Sequence, residues 1–339
     1  MKTRVRNEEI TRVAAAILEK LGLPAPHAAV LAESLMDAEI RGVESHGFIR
    51  LPAYADKVRR GLISPDPDIK TTSTGCILKV DGGNGFGQII LRETLDRCFG
   101  IADQSGCAVA AVKNSNNFGA AGYFSRYAAE KGYIAYVTSN GGPVMVPFGG
   151  RKPMLGTDPF TVSFPAGKYG TFTLDVAVSA VALGKITLCE KQGKPIPEGW
   201  AVDSEGNDTT DPVAAQAGGM LPMAGHKGYG MAMITDMLCG LLGGARLSYE
   251  AATMFDKTSK SEIGHFACVL RLDAFTDPAL FRERVEKWFD RLKSSPRRKS
   301  AREILIPGEI ENRLAAENNG TTEILDTTLL VLENLQASL

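Results

Sequence analysis

The stretch AVAAVKNSNNFGAAGYFSRYAAEK, residues 108–131, joins an apolar run to a helix-like run through a polar loop. The apolar run reads as a strand, and residues 120–131 have helical spacing. The loop between them, NSNNFG, would lie at the N-terminus of the helix, where free N–H groups and the positive dipole end favour an anion. An ordinary strand–helix turn has the same local pattern, so the loop is a candidate phosphate site and nothing more at this point.

Strand-like and helix-like segments alternate on both sides of this unit. Strands are predicted at 77–81, 134–138, 160–164 and 186–189, and helices at 91–104 and, as a buried helix, at 231–245. Residues 8–20 and 26–41 have helical spacing, and a charged helix at 276–295 precedes a strand that ends at Ile306. The alternation predicts an α/β protein with helical segments at both ends.

The bulk properties exclude several classes of function. The chain has 339 residues and a formal net charge of −1, which provides no basic face for a nucleic acid or an acidic membrane. The apolar stretch 231–245 is shorter than the roughly 20 residues of a membrane span. The 6 cysteines and 4 histidines are scattered without a C-x-x-C pair, so we expect reduced thiols, no metal site and a cytoplasmic location.

The glycine-rich segments do not form a standard dinucleotide loop. Gly83 and Gly85 begin a G-x-G pattern, but Gln88 stands where the third glycine is required. GHKGYG fails in the same way, and no lysine-containing phosphate loop is present. The sequence therefore argues against a Rossmann fold.

ESHGFIR, residues 44–50, holds an acid–base candidate. If a helix begins near His46, Arg50 lies about one turn further on the same face. A histidine can move a proton near neutral pH, and the guanidinium fork can hold a carboxylate. A surface ion pair between Glu44 and Arg50 is the alternative.

Two further motifs carry candidate polar groups. GTDPF contains Thr157, whose hydroxyl could donate a hydrogen bond, although the local sequence alone favours a plain turn. GHKGYG places Lys227 at the expected start of a helix, where a cation is unfavourable unless an anion is near. A solvated surface lysine is the alternative there.

The ordered set of motifs resembles one family. Between about residues 8 and 335 occur, in this order, RGVESHGFIRLPAYADKVRRGLI, VKNSNNFGAAGYFSRYAAEKGYIA, LGTDPFTVSFP, LDVAVSAVALGKI, GWAVDSEGNDTTDP, LPMAGHKGYGMAM and ILIPGEIENR. The set resembles the malate/L-lactate dehydrogenase family of the second type. That family also holds ureidoglycolate dehydrogenase, sulfolactate dehydrogenase, diketogulonate reductase and reductases of cyclic imino acids such as pyrroline- and piperideine-2-carboxylate.

The resemblance implies a fold and a reaction. The fold is α/β, with a non-Rossmann mixed-sheet nucleotide-binding domain and helical N- and C-terminal segments. It divides into a helical N-terminal lobe (1–70), a substrate and dimer lobe (71–105 with 275–339) and an NAD(P)-binding domain (106–274). The reaction is NAD- or NADP-dependent hydride transfer on a small-molecule carboxylate, in a homodimer whose sites lie near the subunit interface.

The resemblance also implies site residues. His46 takes the proton donor and acceptor position with Ser45 orienting it, Arg50 binds the substrate carboxylate, and Thr157 lies near the substrate. The residues expected along the cofactor are Asn117, Phe118, Gly119, Ala120, Ala121, Asp175, Val176, Ala177, His226, Lys227, Pro307, Gly308 and Glu309.

The chain departs from the family pattern at several positions. Asn117 stands where many hydroxy-acid members have a histidine, and an amide cannot carry a proton at neutral pH, so the acid–base role falls to His46. Lys185 stands where imino-acid reductases tend to have a proton-relaying aspartate, which disfavours an imine substrate. VAVS at 176–179 replaces the common M-A-T-S.

These features predict an NAD(P)-dependent oxidoreductase that interconverts a small 2-hydroxy acid of the malate, lactate or ureidoglycolate type and its 2-oxo acid. A cyclic imino-acid reductase of the same family is the first alternative. The second is a degenerate member that binds nucleotide or acid without catalysis, and Asn117 is the feature that favours it.

Overall fold

The computed structural model describes residues 1–339. Its strands are β1 (Lys2–Arg6), β2 (Lys70–Thr74), β3 (Ile77–Asp81), β4 (Cys107–Ser115), β5 (Tyr133–Ser139), β6 (Phe160–Pro165), β7 (Thr171–Val176), β8 (Ala201–Val202), β9 (Asp208–Thr209), β10 (Gly219–Met220), β11 (Ile263–Arg271) and β12 (Thr321–Leu325).

The α-helices are α1 (Asn7–Lys20), α2 (Ala25–Ile40), α3 (Leu51–Arg59), α4 (Gly87–Ser105), α5 (Ala121–Glu130), α6 (Leu183–Lys191), α7 (Pro212–Ala217), α8 (His226–Asp236), α9 (Pro278–Lys293), α10 (Glu309–Glu317) and α11 (Asp326–Ala337). Short 3₁₀ helices span Glu44–His46, Phe48–Arg50, Gly167–Tyr169 and Leu272–Ala274, and a π-helical segment, Met237–Leu242, continues α8. None of these helices combines the length and the apolarity that crossing a membrane requires.

Seven strands form the central sheet in the order β2-β3-β4-β11-β5-β6-β7. Only β3 and β4 are parallel, and every other neighbouring pair is antiparallel. β11 comes from the C-terminal half of the chain, yet it lies between β4 and β5 and pairs His265 with Val112 on one side and Ser139 on the other. A Rossmann sheet is mostly parallel, so this mixed order confirms the predicted non-Rossmann α/β fold.

The strand–loop–helix unit at 108–131 forms as predicted. Ala110 and Val112 of β4 are fully buried, and Phe124 and Ala128 of α5 are buried in the same core. Small residues on the strand let the helix pack closely on the sheet, and full burial of a side chain such as Phe124 contributes about 1.5–3 kcal/mol. This unit fixes the NSNNFG loop at one edge of the core.

The two ends of the chain close on each other. Leu332 and Leu335 of α11 join Leu18 and Leu31 of the N-terminal helices in one apolar core. β1 pairs antiparallel with β12, so the N-terminal lobe contains a strand in addition to the predicted helices. The last two elements of the chain therefore pack with the N-terminal lobe, while the lobe boundaries themselves stay a prediction.

Two predicted strands are wrong. Residues 186–189 lie inside α6, where only Ile186 is buried and Leu188 is exposed. The alternation that suggested a strand there belongs to a short helix that buries only Ile186. The segment that ends at Ile306 has no strand either, because Ile306 is buried against Ala166 and Phe289 outside any sheet.

The apolar stretch 231–245 is helical but not buried as expected. α8 and the π-helical segment cover most of it, yet Ile234, Leu241 and Leu242 are exposed. Met233 and Met237 lie on the same face at helical spacing and are exposed as well. A continuous exposed apolar face of this kind marks an interaction surface more often than a defect.

Candidate active site

A cavity of about 990 Å³ lies between the N-terminal lobe and the central sheet. That volume is at the upper end of the range of small-molecule and cofactor sites, about 300–1,000 Å³, so the cavity has the size of a cofactor site. Most of the predicted site residues line it: Ser45, His46, Arg50, Asn117, Phe118, Gly119, Ala120, Ala121, Thr157, Asp175, Ala177, Pro307 and Gly308. The structure thus brings together residues that are far apart in sequence, from Ser45 to Gly308. Their roles stay predictions.

Four predicted residues lie outside this lining in the single chain, namely Val176, His226, Lys227 and Glu309. Val176 pairs with Phe160 at the end of β7. His226 and Lys227 are exposed, and Lys227 lies in the first turn of α8, the helix start that the sequence predicted.

Glu309 supports the neighbouring turn instead. Its carboxylate accepts hydrogen bonds from Lys293 at 2.6 Å and from the Ile306 backbone N–H at 2.9 Å. Burial opposes the charge, but these bonds and one from Arg313 outweigh it and lower the pKa of Glu309 to about 2. Glu309 therefore fixes the Pro307–Gly308 turn that does line the cavity.

His46 ends a 3₁₀ turn and presents its imidazole to the cavity. Its Nδ1 lies 2.9 Å from Ser45 Oγ, which leaves Nε2 without a protein partner. Burial, and then the Arg50 charge, lower the pKa of His46 to about 4. The imidazole is therefore neutral at pH 7, with one nitrogen directed by Ser45 and the other available to a ligand.

Arg50 is a half-buried cation without an acidic partner. Its Nε donates to the Ser45 carbonyl at 2.5 Å, its Nη1 contacts Met254 Sδ at 3.2 Å, and its guanidinium lies 5.4 Å from the centre of the Phe255 ring. Glu44, the alternative partner considered from sequence, pairs with Lys2 instead. Desolvation lowers the pKa of Arg50, and a bound carboxylate would relieve that cost.

The NSNNFG loop is anchored at its middle and turns sharply at its end. The Asn116 amide donates to the Gly85 carbonyl at 2.9 Å, and Asn116 is buried. Gly119 has φ +76°, a left-handed conformation that a side chain would strain. Between these two positions Asn117 faces the cavity, with its Oδ1 accepting from Gly119 N and Tyr54 Oη.

The N-terminus of α5 is not as free as the sequence suggested. The Gly122 N–H donates to Asp175 Oδ2 at 2.7 Å, so a carboxylate from β7 already occupies one of the donors that a phosphate would use. Desolvation by the surrounding protein raises the pKa of Asp175. The hydrogen bond from Gly122 and the charge of Arg126 partly offset that rise. Any anion at this helix end would bind beside a carboxylate that caps the helix.

Thr157 reaches the cavity from an unusual turn. Its hydroxyl has no protein partner, and its carbonyl accepts from Val178 N at 2.9 Å. The next residue, Asp158, is fully buried with φ +41°, and the backbone N–H groups of Gly141, Asp158 and Gly156 face its carboxylate without reaching hydrogen-bond geometry. Burial, and then the nearby charge of Asp236, raise the pKa of Asp158 well above its ordinary range.

Sequence reasoning missed several residues of the site. Tyr54 follows Arg50 by four residues and Arg50 follows His46 by four, so helical spacing was a usable signal for Tyr54. Gln88 reaches Tyr54 from α4, and Met254 and Phe255 reach Arg50 from a loop. No local pattern marks these three, because only the packing of distant segments brings them to the site.

Comparison with known proteins gives consistent relatives. L-sulfolactate dehydrogenase of Methanocaldococcus jannaschii is 36% identical over 88% of this chain and 86% of its own length. (2R)-3-Sulfolactate dehydrogenase (NADP(+)) of Chromohalobacter salexigens is 33% identical over 99% and 98%. Ureidoglycolate dehydrogenase (NAD(+)) of Escherichia coli K12 is 32% identical over 87% and 85%.

Solved structures agree with these relatives. Sulfolactate dehydrogenase from Methanocaldococcus jannaschii superposes with a TM-score of 0.92 at 33% identity, over 99% of this chain and 97% of the other. Delta1-piperideine-2-carboxylate reductase from Pseudomonas syringae gives 0.88 at 26% identity, over 98% and 99%. The family model for malate/L-lactate dehydrogenase matches residues 5–330, and the chain therefore belongs to that family of NAD(P)-dependent oxidoreductases.

Proposed function

We propose that this protein interconverts a small 2-hydroxy acid and its 2-oxo acid. The observation that carries the proposal is that one cavity is lined by Arg50, a half-buried cation with no acidic partner, and by His46, whose Nε2 is free. A carboxylate on Arg50 would place the neighbouring C2 oxygen within reach of a proton donor and acceptor. Named relatives that act on sulfolactate, malate and ureidoglycolate support this substrate class.

The cofactor is a nicotinamide dinucleotide, and when bound it gives a hydride to C2 or takes one from it. Both NAD and NADP are named among the relatives. The residues that would hold it are those that line the cavity around 117–121, Asp175, Ala177 and the Pro307–Gly308 turn. Asp175 is suited to hydroxyl groups, since a carboxylate accepts hydrogen bonds and repels a phosphate.

His46 moves the proton at the C2 oxygen. Because its pKa is about 4, the neutral imidazole can accept a proton from a hydroxy acid at pH 7. In the reductive direction it must first be protonated. A substrate carboxylate on Arg50 offsets the positive charge that disfavours the imidazolium, so substrate binding raises the pKa of His46 and assists that direction.

Two substitutions test the separate roles of His46 in proton transfer and of Arg50 in carboxylate binding. His46→Ala is expected to reduce kcat by about two to four orders of magnitude, the usual contribution of acid–base catalysis. Arg50→Met is expected to raise KM for the acid, because the carboxylate loses its charged partner. Steady-state kinetics on the best acid measures both, and His27→Ala is the control, since His27 pairs with Glu93 away from the cavity. Near-normal turnover by His46→Ala would overturn the assignment.

A cyclic imino-acid reductase is the second candidate, because a piperideine-2-carboxylate reductase shares the fold. Lys185 lines the cavity where an acidic relay residue would be expected for that reaction. NADPH oxidation with pyrroline-2-carboxylate distinguishes this candidate. The site favours an enzyme over a binding protein without catalysis, because the acid–base candidate His46 and the carboxylate-binding candidate Arg50 both line the cavity.

The active unit we propose is a homodimer that acts in the cytoplasm. His226 and Lys227, which the family resemblance assigns to the cofactor, begin α8, and the same helix carries the exposed apolar face formed by Met233, Ile234, Met237, Leu241 and Leu242. Burying that face against a second copy would bring the start of α8 next to another subunit. All six cysteines are free, which suits a reducing compartment.

A further inference from the structure

The side-chain amide of Asn117 is held in one orientation. The backbone N–H of Gly119 donates to its Oδ1 at 3.1 Å, and the Tyr54 hydroxyl donates to the same oxygen at 3.0 Å. A backbone N–H can only donate, so the atom that faces it must be the amide oxygen. The Nδ2 group therefore points away from both donors and has no protein partner, while Asn117 lines the cavity.

A hydrogen bond from Gln88 agrees with the direction of the bond that Tyr54 donates to Asn117. Because Tyr54 gives its only proton to Asn117, its oxygen must accept, and Gln88 Nε2 donates to it at 2.9 Å. Gln88 and Tyr54 are both buried, and burial raises the pKa of Tyr54, so the phenol keeps its proton at neutral pH. The chain from Gln88 through Tyr54 to Asn117 runs one way and ends in an N–H donor.

His46 and Arg50, the residues assigned to the substrate, line the same cavity as Asn117. His46, Arg50 and Tyr54 follow one another at four-residue spacing, and the Arg50 charge is close enough to lower the pKa of His46 and to oppose the rise in that of Tyr54. Asn117 is joined to this row by the Tyr54 bond. Its free N–H donor therefore belongs to the same cavity lining as the proton carrier and the carboxylate partner.

Building on the proposed function, we propose that Asn117 Nδ2 donates a hydrogen bond to the C2 oxygen of the substrate and selects 2-oxo and 2-hydroxy acids over cyclic imines. In reduction, hydride from the nicotinamide brings two electrons and forms the C2–H bond. The C=O π pair moves onto oxygen, which takes a proton from His46. Asn117 donates to that oxygen while charge develops on it, and its amide does not titrate.

A cyclic imine presents a hydrogen-bond donor at the position where a 2-oxo acid presents an acceptor. The form of a cyclic imino acid that accepts hydride is the protonated iminium, whose ring nitrogen carries an N–H and no lone pair. Against Asn117 Nδ2, two donors would meet and both would remain unpaired, which is costly in a desolvated site. A histidine in place of Asn117 could present either a donor or an acceptor, whereas the oriented amide presents a donor only.

Asn117→Asp reverses the polarity with little change in shape. One carboxylate oxygen keeps the bonds from Gly119 and Tyr54, and the other becomes an acceptor in the cavity. The probes are oxaloacetate, pyruvate, glyoxylate and pyrroline-2-carboxylate, each with NADH and NADPH. We expect kcat on the best 2-oxo acid to fall about 10²–10³-fold, the scale for loss of one such donor, and the ratio of kcat/KM for 2-oxo acid to that for imine to fall at least about tenfold.

A binding measurement gives a readout without turnover. Oxamate carries an acceptor oxygen next to its carboxylate, whereas L-proline carries a charged N–H donor there. By calorimetry with the cofactor-loaded enzyme, the unsubstituted protein is expected to prefer oxamate. Asn117→Asp is expected to shift that preference toward L-proline by about tenfold.

Tyr54→Phe tests the positioning role. It should lower kcat on the 2-oxo acid and narrow the selectivity over imine, with little change in the KM of the cofactor, because Asn117 keeps the bond from Gly119 but loses one of the two bonds that hold its amide. Tyr169→Phe is the matched control, since Tyr169 bonds Asp290 at the surface and not the cavity. Gly119→Ala is not a suitable test, because its positive φ would disturb the loop itself.

The outcomes separate the two proposals. If the unsubstituted enzyme turns over no acid or imine, the proposed function fails. If it turns over a 2-oxo acid but Asn117→Asp leaves the oxo-to-imine ratio unchanged, the inference fails and the proposed function stands. A preference of the unsubstituted enzyme for pyrroline-2-carboxylate, or a change confined to the Kd of the cofactor, also overturns the inference.

Discussion

At the scale of single residues, the His46 imidazole and the Arg50 guanidinium line one cavity together with Asn117. The presence of His46 and Arg50 in the cavity was predictable from their residue types and spacing, while their roles in proton transfer and carboxylate binding stay a prediction. The orientation of the Asn117 amide was not, since it depends on Tyr54 and Gln88, which come from two other helices. The depressed pKa of His46 likewise depends on burial that no local pattern reveals.

Asp158 gives a stability prediction at this scale. Its pKa is raised well above 3.8 by burial and by Asp236, so the folded state holds its proton more tightly than the unfolded state. The favourable contribution is present at low pH and is lost as pH rises from about 3.8 through the folded pKa. Asp158→Asn removes the titration and is expected to raise the free energy of unfolding at pH 8 by about 1–3 kcal/mol.

Urea unfolding from pH 5 to pH 8 measures this effect. The gain from Asp158→Asn should grow with pH, whereas Asp66→Asn at the surface should change little at any pH. A variant that loses stability equally at pH 5 and pH 8 would show that the Asp158 carboxylate is charged and paired in the folded protein.

At the scale of elements, local pattern predicted α5 and the helices at both ends of the chain, and it failed where burial decides. The Ile186 segment has an alternating pattern but folds as a helix, whose surroundings bury only Ile186. The turn that carries His46 also depends on a contact with the preceding helix, α2. The Phe48 N–H donates to the Glu39 carboxylate at 2.9 Å, and burial raises the pKa of Glu39 to about 7.

Gly47 makes that turn testable. A Cβ on Gly47 would overlap the Glu39 carboxylate, which lies directly against it. Gly47→Ala is therefore expected to destabilise the protein by about 1–3 kcal/mol, and to lower kcat/KM at least about tenfold by displacing His46. Thermal unfolding and steady-state kinetics measure the two effects.

Gly100→Ala is the control for the Gly47 prediction. Gly100 lies inside α4 with open space around its Cβ position, so alanine there should stabilise the helix by about 1 kcal/mol and leave activity unchanged. Equal behaviour of the two variants would show that the contact between Gly47 and Glu39 has no structural importance.

At the scale of the whole molecule, the sequence predicted the α/β class and the absence of a Rossmann sheet. It did not predict that β11 enters between β4 and β5, because strand order is set by long-range pairing. It also read the 231–245 stretch as buried in the chain, whereas the structure leaves that apolar face exposed. Apolar sequence alone cannot tell burial in a core from burial against a partner.

The exposed face predicts self-association. The chain is expected to sediment as a dimer at micromolar concentration, and replacing Leu241 and Leu242 with glutamate is expected to give a monomer with weakened cofactor binding. Leu330→Glu, at an exposed position on α11, should leave the dimer intact. A monomeric unsubstituted protein, or a dimer that survives both glutamates, would place the interface elsewhere or remove it.

The central claim is that one cavity joins a nicotinamide cofactor to a carboxylate on Arg50 and a proton carrier at His46. The most direct test is a screen of 2-hydroxy acids, 2-oxo acids and cyclic imines with both nucleotides, run in parallel on the unsubstituted enzyme and His46→Ala. We predict turnover of at least one 2-hydroxy acid and its 2-oxo acid, reduced about 10²–10⁴-fold in His46→Ala. Cofactor binding without turnover of any 2-hydroxy or 2-oxo acid, or equal turnover by the two proteins, would contradict the account.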